Sequence, residues 1–249
     1  KHLHPPTEIQ AKMTKLSVNI NKIATIRNAR GGNTPNVLKA AEAIENFGAE
    51  GITVHPRPDE RHITRADAYG LKDVVKTEYN IEGYPSEDFI KMVLEIKPAQ
   101  VTLVPDKPDA ITSNAGWDCI NQKDYLTPII SRFKDAGIRV SVFLEPEVEQ
   151  VDAALACGAD RIELYTEAYA SGYAADKETA ITPYKATAIR ATELKLGINA
   201  GHDLSLENLA YFAQQIPNLL EVSRGHALIS DALYYGLNNT IQMYKRCLL

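Results

Sequence analysis

Eight short apolar runs recur along this chain, and segments with helical periodicity separate them. Each run has the length and the Val and Ile content typical of a parallel strand that is buried on both faces. The runs are LSVNI (16–20), GITVH (51–55), NIEGY (80–84), QVTLVP (100–105), RVSVFLE (139–145), RIELYT (161–166), KLGINAG (195–201) and LLEVSRG (219–225). Strands that alternate with helices predict right-handed βαβ units and a parallel sheet.

Eight such units in 249 residues predict a closed (β/α)8 TIM barrel with extra helices. We expect a single domain over residues 14–249, because no shift in composition marks a second one. A doubly wound open sheet is the structural alternative, but no GxGxxG turn follows the first strand. The opening segment KHLHPPTEIQAK lacks signal-peptide character, and residues 1–13 are interpreted as a non-native leader together with the start methionine.

Two connections are longer than a minimal barrel requires. Residues 106–121 are rich in Pro, Asp, Asn and Gly and carry the only Trp, which predicts a lid or a binding loop. Residues 167–194 exceed one helix in length, which predicts an extra helical element at the barrel mouth.

Composition excludes several classes of protein. A net charge of −5 argues against a nucleic-acid surface, which would need basic patches. No apolar run approaches the roughly 18 residues that a membrane-spanning helix needs. The three cysteines, Cys119, Cys157 and Cys247, have neither a disulfide framework nor metal-ligand spacing, which favours a reducing cytoplasmic location.

Four histidines fall at the carboxyl ends of predicted strands. His55 ends the second strand, His62 lies in the loop after it, and His202 and His226 follow the seventh and eighth strands. Because active sites of such barrels lie at this end, we expect all four imidazoles to share one rim. A single histidine would usually be structural, whereas four at one rim favour an active site.

Two glutamates lie in the middle of strands. Glu82 and Glu163 are costly to bury unless they are paired or used in chemistry. One interpretation is that either side chain faces the helices and pairs with a Lys or Arg. The other is that both point into the upper barrel, where burial raises their proton affinity into the range of a general base.

Glycine-containing turns after the seventh and eighth strands, in NAGHD and RGHA, could hold a phosphate on backbone N–H groups. A second anion site could combine Arg57, His62 and Thr112, and Arg30 is a further cation suited to phosphate. No HExxH-like spacing occurs, so we expect no catalytic metal. The residues therefore predict a barrel enzyme that acts on a phosphorylated small molecule with His and Glu.

Seven blocks of the chain resemble the pyridoxine 5′-phosphate synthase family, from about Lys15 to the C-terminus. They are VNINKIATIRNARGG, GITVHPRPDERHIT, NIEGY, VTLVPDKPDAITSNAGWD, RIELYTEAYA, NAGHDL and RGHALI. The resemblance implies a condensation of 3-amino-2-oxopropyl phosphate with 1-deoxy-D-xylulose 5-phosphate, which releases inorganic phosphate and water. It also implies no organic cofactor, no metal, no nucleic-acid or membrane partner, and an octamer built from dimers.

The resemblance assigns roles by position. It implies acid–base roles for His55, Glu82 and His202, and transition-state stabilisation for Glu163. It places the aminoketone phosphate against Asn19, Arg30, Asp203, Gly225 and His226. It places the deoxyxylulose phosphate against Arg57, His62 and Thr112, beneath a closing lid formed by residues 106–121.

Two departures from the family pattern concern substrate binding. The family's first strand commonly ends Asn-x-Asp-His, whereas this chain reads Asn19-Ile20-Asn21-Lys22. Asn21 keeps hydrogen bonding without the charge, and Lys22 adds a cation that could reach a phosphate. Asp203 replaces the usual Gly, and we expect only its backbone N–H to contact phosphate while its side chain caps the next helix.

Two alternative functions remain open from the residues. One is another phosphosugar barrel enzyme, an isomerase or an aldolase; a Schiff-base aldolase would need a lysine at a strand end, and Lys22 is the candidate. Borohydride trapping on Lys22 would favour the aldolase. The other is a phospho-ligand-binding barrel without turnover, which tight binding of both substrates without product would favour.

Overall fold

The computed structural model describes residues 13–106 and 115–249, which form a closed barrel of eight parallel strands joined in sequential order. The predicted TIM barrel is therefore confirmed. Each strand pairs with the next along the chain, and β1 pairs with β8 to close the barrel. Thr112 and the middle of the predicted lid lie outside the described residues. The leader and the domain boundary at residue 14 stay predictions.

Strands and helices alternate as predicted. The strands are β1 Lys15–Asn19, β2 Gly51–Val54, β3 Glu78–Gly83, β4 Gln100–Leu103, β5 Arg139–Leu144, β6 Arg161–Tyr165, β7 Gly197–Gly201 and β8 Leu219–Arg224. The helices are α1 Asn21–Arg30, α2 Val37–Asn46, α3 Arg65–Val74, α4 Glu87–Ile96, α5 Lys123–Asp135, α6 Val148–Ala156, α7 Glu167–Glu193, α8 Leu209–Gln215, α9 His226–Tyr235 and α10 Leu237–Arg246.

Helix α7 contains the extra helical element that its length predicted. Asp176 has φ −158° and ψ 92°, which is not helical, so the segment consists of two helices across a kink. The second of them begins with a local cap, because the Asp176 carboxylate accepts hydrogen bonds from the backbone N–H and the hydroxyl of Thr179. None of the helices in the described ranges is long and apolar enough to cross a membrane.

The hydrophobic core lies between the barrel and the surrounding helices. Outward-facing strand residues such as Val18, Ile52 and Ile81 are fully buried against the helix layer. Helix α3 starts with a capping box, in which Thr64 and Asp67 each bond the other's backbone N–H. This core is the apolar surface whose burial drives folding.

The inner face of the barrel is polar, whereas bulky branched residues usually fill such barrels. The Ser17 and Thr53 hydroxyls lie 2.8 Å apart, and the Thr102 hydroxyl donates to the Asn80 side-chain oxygen at 3.0 Å. All four side chains are buried. Hydrogen bonds therefore satisfy polar groups that would otherwise be costly to bury.

Charged residues fill the amino-terminal end of the barrel. The Glu78 carboxylate accepts a hydrogen bond from the Lys15 ammonium at 2.7 Å and a further one from the Arg139 guanidinium. Arg161 lies 4.0 Å from the buried Glu221. These contacts join strands that are not neighbours, so they cross the barrel axis, and the main cavity lies at the opposite end.

Candidate active site

A cavity of about 390 Å³ opens at the carboxyl end of the barrel. All eight strands, or the residues that directly follow them, contribute to its wall. The contributors in strand order are Asn19, His55, Glu82, Val104, Phe143, Glu163, His202 and Ser223. A ligand in this cavity would therefore contact side chains from every part of the sheet, within the volume range of small-molecule sites.

The structure brings together most of the residues predicted for the site. The cavity is lined by Asn19, Asn21, Lys22, His55, Arg57, His62, Glu82, Glu163, His202, Asp203, Gly225 and His226. Arg30 is not among the lining residues, because it lies exposed at the carboxyl end of α1. Thr112 is outside the described residues. The chemical roles of all these residues stay predictions.

His55 is buried beside cationic neighbours. Its side chain follows β2, and its backbone N–H donates a 2.9 Å hydrogen bond to the side-chain oxygen of Asn21. Burial, followed by the positive charges of Arg57 and His62, holds the pKa of His55 well below its usual value. The imidazole is therefore neutral at neutral pH and can accept a proton.

Arg57 and His62 lie side by side in the wall of the cavity, where Arg57 supplies the positive charge. Arg57 donates to Asp106 at 2.8 Å in a buried ion pair that fixes its guanidinium. His62 Nδ1 accepts a hydrogen bond from the Ile63 backbone N–H at 2.9 Å, so the neutral ring carries its proton on Nε2. Burial and the charges of Arg57 and Lys22 lower the pKa of His62 to about 4.

Two carboxyl groups face each other inside the cavity. Burial, then repulsion from Glu163 and Asp106, raises the pKa of Glu82 well above its usual value. Burial, then repulsion from Glu221 deeper in the barrel, raises the pKa of Glu163 to about 8. Burial therefore favours the protonated form of both side chains, and both line the cavity rather than facing the helices.

The predicted role of the Asp203 side chain was wrong. Helix α8 begins at Leu209, too far along the chain for Asp203 to cap it. The Asp203 carboxylate instead lies 2.8 Å from Nδ1 of His202, and its backbone N–H donates to the Thr166 hydroxyl at 3.3 Å. Both polar groups of this residue are thus committed to bonds within the protein.

Asn21 and Lys22, the two residues that depart from the family pattern after β1, both take part in the site. Asn21 Oδ1 accepts from the His55 N–H, and the Asn21 N–H donates to Asn19 Oδ1 at 3.0 Å. An amide oxygen makes these bonds as well as a carboxylate would, so the loss of charge does not undo the local structure. Lys22, the second residue of α1, adds its ammonium to the cavity wall.

Apolar side chains also contribute to the cavity, through Val104 and Phe143, and they were not predicted from the sequence. Val104, Phe143 and Tyr165 form a small buried cluster, with the rings of Phe143 and Tyr165 5.2 Å apart. The signal was present, because in RVSVFL the inward positions alternate as Arg139, Ser141 and Phe143. Arg139 and Ser141 are polar and lie toward the amino-terminal end of the barrel, whereas Phe143 places an aromatic ring at the carboxyl end.

No group of three or more His, Cys, Asp or Glu side chains within residues 13–106 and 115–249 is arranged to hold a metal ion. The predicted absence of a catalytic metal stays a prediction.

Fold and cavity together define a class of protein: a TIM barrel whose mouth combines titratable His and Glu residues with cations and a helix N-terminus. A family model described as "Pyridoxal phosphate biosynthesis protein PdxJ" matches residues 16–249. The chain belongs to this PdxJ family.

Relatives of known activity support the family assignment by their sequence identity. A pyridoxine 5′-phosphate synthase of Bacteroides fragilis is 61% identical over 236 residues, 95% of this chain and 100% of the relative. One of Cytophaga hutchinsonii is 64% identical over 234 residues, 94% of this chain and 98% of the relative.

Among solved structures, a tryptophan synthase of Mycobacterium tuberculosis superimposes with a TM-score of 0.65 at 12% identity, covering 95% of this chain and 93% of the other. A phosphoribosylanthranilate isomerase of Thermotoga maritima gives 0.60 at 15% identity, covering 95% and 98%. At such low identity these two share the fold alone.

Proposed function

We propose that this protein is a pyridoxine 5′-phosphate synthase, which condenses 3-amino-2-oxopropyl phosphate with 1-deoxy-D-xylulose 5-phosphate and releases phosphate and water. Family membership and relatives above 60% identity over nearly their whole length support the activity. The observation that carries the mechanism is the meeting of His55, Glu82 and His202 in one cavity.

Opposite shifts in proton affinity suit the first steps of such a condensation. Amine attack on a ketone and loss of water require a base that accepts a proton and an acid that returns one. The pKa of His55 is lowered, which favours the neutral imidazole, and the pKa of Glu82 is raised, which favours the protonated carboxyl. Two groups whose environments drive their pKa values apart are suited to complementary acid and base roles.

Glu163 has a carboxyl oxygen that could bind a polar group of the substrate. Its Oε2 atom is buried and has no hydrogen-bond partner among the described residues. A buried polar atom without a partner is costly unless a ligand satisfies it. A substrate hydroxyl or amine beside Glu163 would supply that partner, in keeping with the stabilising role that the resemblance implies.

Two ends of the cavity suit the two phosphates. Helix α9 begins at His226 directly after Gly225, and both residues line the cavity, so its backbone N–H groups can hold the aminoketone phosphate. The positive charges of Arg57 and Lys22, together with Nε2 of the neutral His62 as a donor, can hold the sugar phosphate. Thr112 is proposed for the same phosphate on the resemblance alone.

A homo-oligomer, by resemblance an octamer built from dimers, is part of the proposal. Tyr234 is 86% exposed and Leu233 is 72% exposed at the end of α9, which is unusual for large apolar side chains. Arg30 also lies exposed, away from the cavity of its own chain. Light scattering on the purified protein tests the assembly. We expect eight times the 27.5 kDa of one chain, and a monomer would contradict it. The cytoplasmic location stays a prediction.

Incubation of the purified protein with both phosphorylated substrates tests the activity. We expect pyridoxine 5′-phosphate and inorganic phosphate in equal amounts, without added metal or organic cofactor. Omission of either substrate is the control. Binding of both substrates without product would instead favour a barrel without turnover, and borohydride trapping of a substrate on Lys22 would favour a Schiff-base aldolase.

A further inference from the structure

The loop that carries His202 is held in a conformation that side chains rarely adopt. His202 has φ +90°, which is uncommon for a residue other than glycine. The Thr166 hydroxyl fixes the loop on both sides, because it donates to the Gly201 carbonyl at 2.6 Å and accepts from the Asp203 N–H at 3.3 Å. The backbone therefore presents the imidazole from a defined position.

Two further contacts fix the imidazole ring itself. Nδ1 lies 2.8 Å from the Asp203 Oδ2 atom, and the ring packs edge-on against Tyr165, with centroids 5.4 Å apart and planes at 81°. His202 also lines the cavity. The protein therefore holds the ring through Nδ1 at a place that a substrate in the cavity would reach.

Neighbouring charged groups influence the protonation of the His202–Asp203 pair. Burial alone would raise the pKa of Asp203, but the hydrogen bond with His202 and the charges of His202 and Arg224 outweigh it and lower that pKa. Arg224, in β8, is fully buried, and its Nε and Nη1 atoms have no hydrogen-bond partner among the described residues. Its positive charge adds to the effect of His202 on the Asp203 carboxylate, and Arg224 also interacts electrostatically with Tyr244 and Asp231, which hydrogen-bond each other.

His202 also faces titratable groups within the cavity. His55 lies near enough for the two imidazoles to interact electrostatically, and the Tyr165 ring packs against the His202 ring. Glu163 lies just below, because a Cβ atom at Gly201 would come within 2.5 Å of its Oε1 atom. Among these neighbours of His202, Asp203 is the one that the structure pairs with Nδ1.

We propose that Asp203 is a positioning residue, which holds His202 in the tautomer and orientation that direct Nε2 at the substrate, and that its side chain does not bind phosphate. The proposal rests on the proposed function for its catalytic meaning, because it concerns the proton transfers of that reaction. A carboxylate that accepts from Nδ1–H plays this part for catalytic histidines in unrelated hydrolases. An anionic side chain would also repel a phosphate.

The tautomer can be read directly from the substrate-free protein. We expect ¹⁵N NMR at alkaline pH to show that Nδ1 of His202 carries the proton, and the signal can be assigned by its loss in His202→Gln. In Asp203→Asn the amide can donate to Nδ1, so we expect a shift toward the tautomer with the proton on Nε2. Asp73→Asn, at an exposed site on α3, is the matched control and should leave the spectrum unchanged.

Kinetics separate positioning from phosphate binding. We expect Asp203→Asn to lower kcat by at least about tenfold with the KM for the aminoketone phosphate unchanged, and Asp203→Glu to restore part of the loss. A wild-type His202 with its proton on Nε2 would overturn the proposal. So would an Asp203→Asn variant with altered KM and unchanged kcat. The NMR result stands even if the protein makes no pyridoxine 5′-phosphate, so failure of the activity and failure of this inference are distinguishable.

Discussion

At the scale of single residues, burial determines the protonation of the candidate catalytic groups. The same enclosed cavity lowers the pKa of a histidine and raises the pKa of a carboxyl, because it disfavours the charged form of each. Burial therefore favours the neutral form of both His55 and Glu82, the first suited to act as a base and the second as an acid. Arg57, which cannot lose its charge, needs the Asp106 carboxylate at 2.8 Å.

We expect His55→Ala and Glu82→Gln to lower kcat by about 10²- to 10⁴-fold with the fold intact, because both groups transfer protons. Steady-state formation of pyridoxine 5′-phosphate measures the effect, with circular dichroism as the check on folding. Glu42→Gln, at an exposed position of α2, is the control. Turnover close to that of the wild type in either variant would refute its role.

Arg57→Lys should raise the KM for the sugar phosphate by about tenfold or more and leave kcat within about threefold, because lysine keeps the charge but loses the fork-shaped donor. Lysine also leaves Asp106 a cationic neighbour, so the variant should fold. Initial rates at varied sugar phosphate measure the change. A turnover defect at unchanged KM would contradict the assignment.

Glu163 should make the protein less stable as the pH rises. The folded protein keeps this proton up to a pKa of about 8, whereas the unfolded chain loses it near the usual value of 4.5. Between these values the folded state binds more protons, so the free energy of unfolding falls with rising pH. Glu163→Gln removes this contribution. We therefore expect the free energy of unfolding of the variant, measured relative to that of the wild type, to be higher at pH 8 than at pH 5 by more than about 1 kcal/mol.

Urea unfolding at the two pH values measures that difference. Glu221, with a pKa raised to about 7, should leave some pH dependence in the variant. Equal pH dependence of the two proteins would show that Glu163 does not retain its proton.

At the level of helices and strands, the sequence predicted where the elements lie, because periodicity is a local signal. It did not predict which side chains pair across the barrel or within a loop, because those pairings depend on tertiary contacts. The strand positions were right because short β-branched runs and helix stops are local signals; Gly137 and Gly158, with φ +79° and +93°, end α5 and α6 as glycine can. The polar inner face was visible as alternation in the strands, but only barrel closure shows that Asn199 of β7 meets Gln100 of β4. The partner of Asp203 was missed because it depends on the backbone of a single loop.

A buried ion pair joins α1 to α3 and steadies the loop of His62. Arg27 donates to both carboxylate oxygens of Asp67, at 2.6 and 2.8 Å, and also to the His62 carbonyl. We expect Asp67→Asn to lower the free energy of unfolding by about 3 kcal/mol, because it leaves a buried guanidinium unpaired. Denaturant titration measures the loss. Asp59→Asn, in an exposed pair with Arg61, is the control and should cost less than about 1 kcal/mol. Equal losses would contradict the structural role of the pair.

At the scale of the whole molecule, the cavity exists only because the sheet closes. Its wall takes contributions from all eight strands or the residues that follow them, so residues as far apart in sequence as Asn19 and His226 line the same cavity. Family resemblance could predict which residues gather there, since it carries the fold with it. It could not predict which cation pairs with which acid, or that Arg30 would lie outside the cavity of its own chain.

A crystal structure with bound pyridoxine 5′-phosphate would show where the product lies relative to the three proposed acid–base residues. We expect the product inside the cavity, with its phosphate at the N-terminus of α9 and its ring within hydrogen-bonding reach of His55, Glu82 and His202. A product molecule bound elsewhere, or one in the cavity that contacts none of these three side chains, would contradict this expectation.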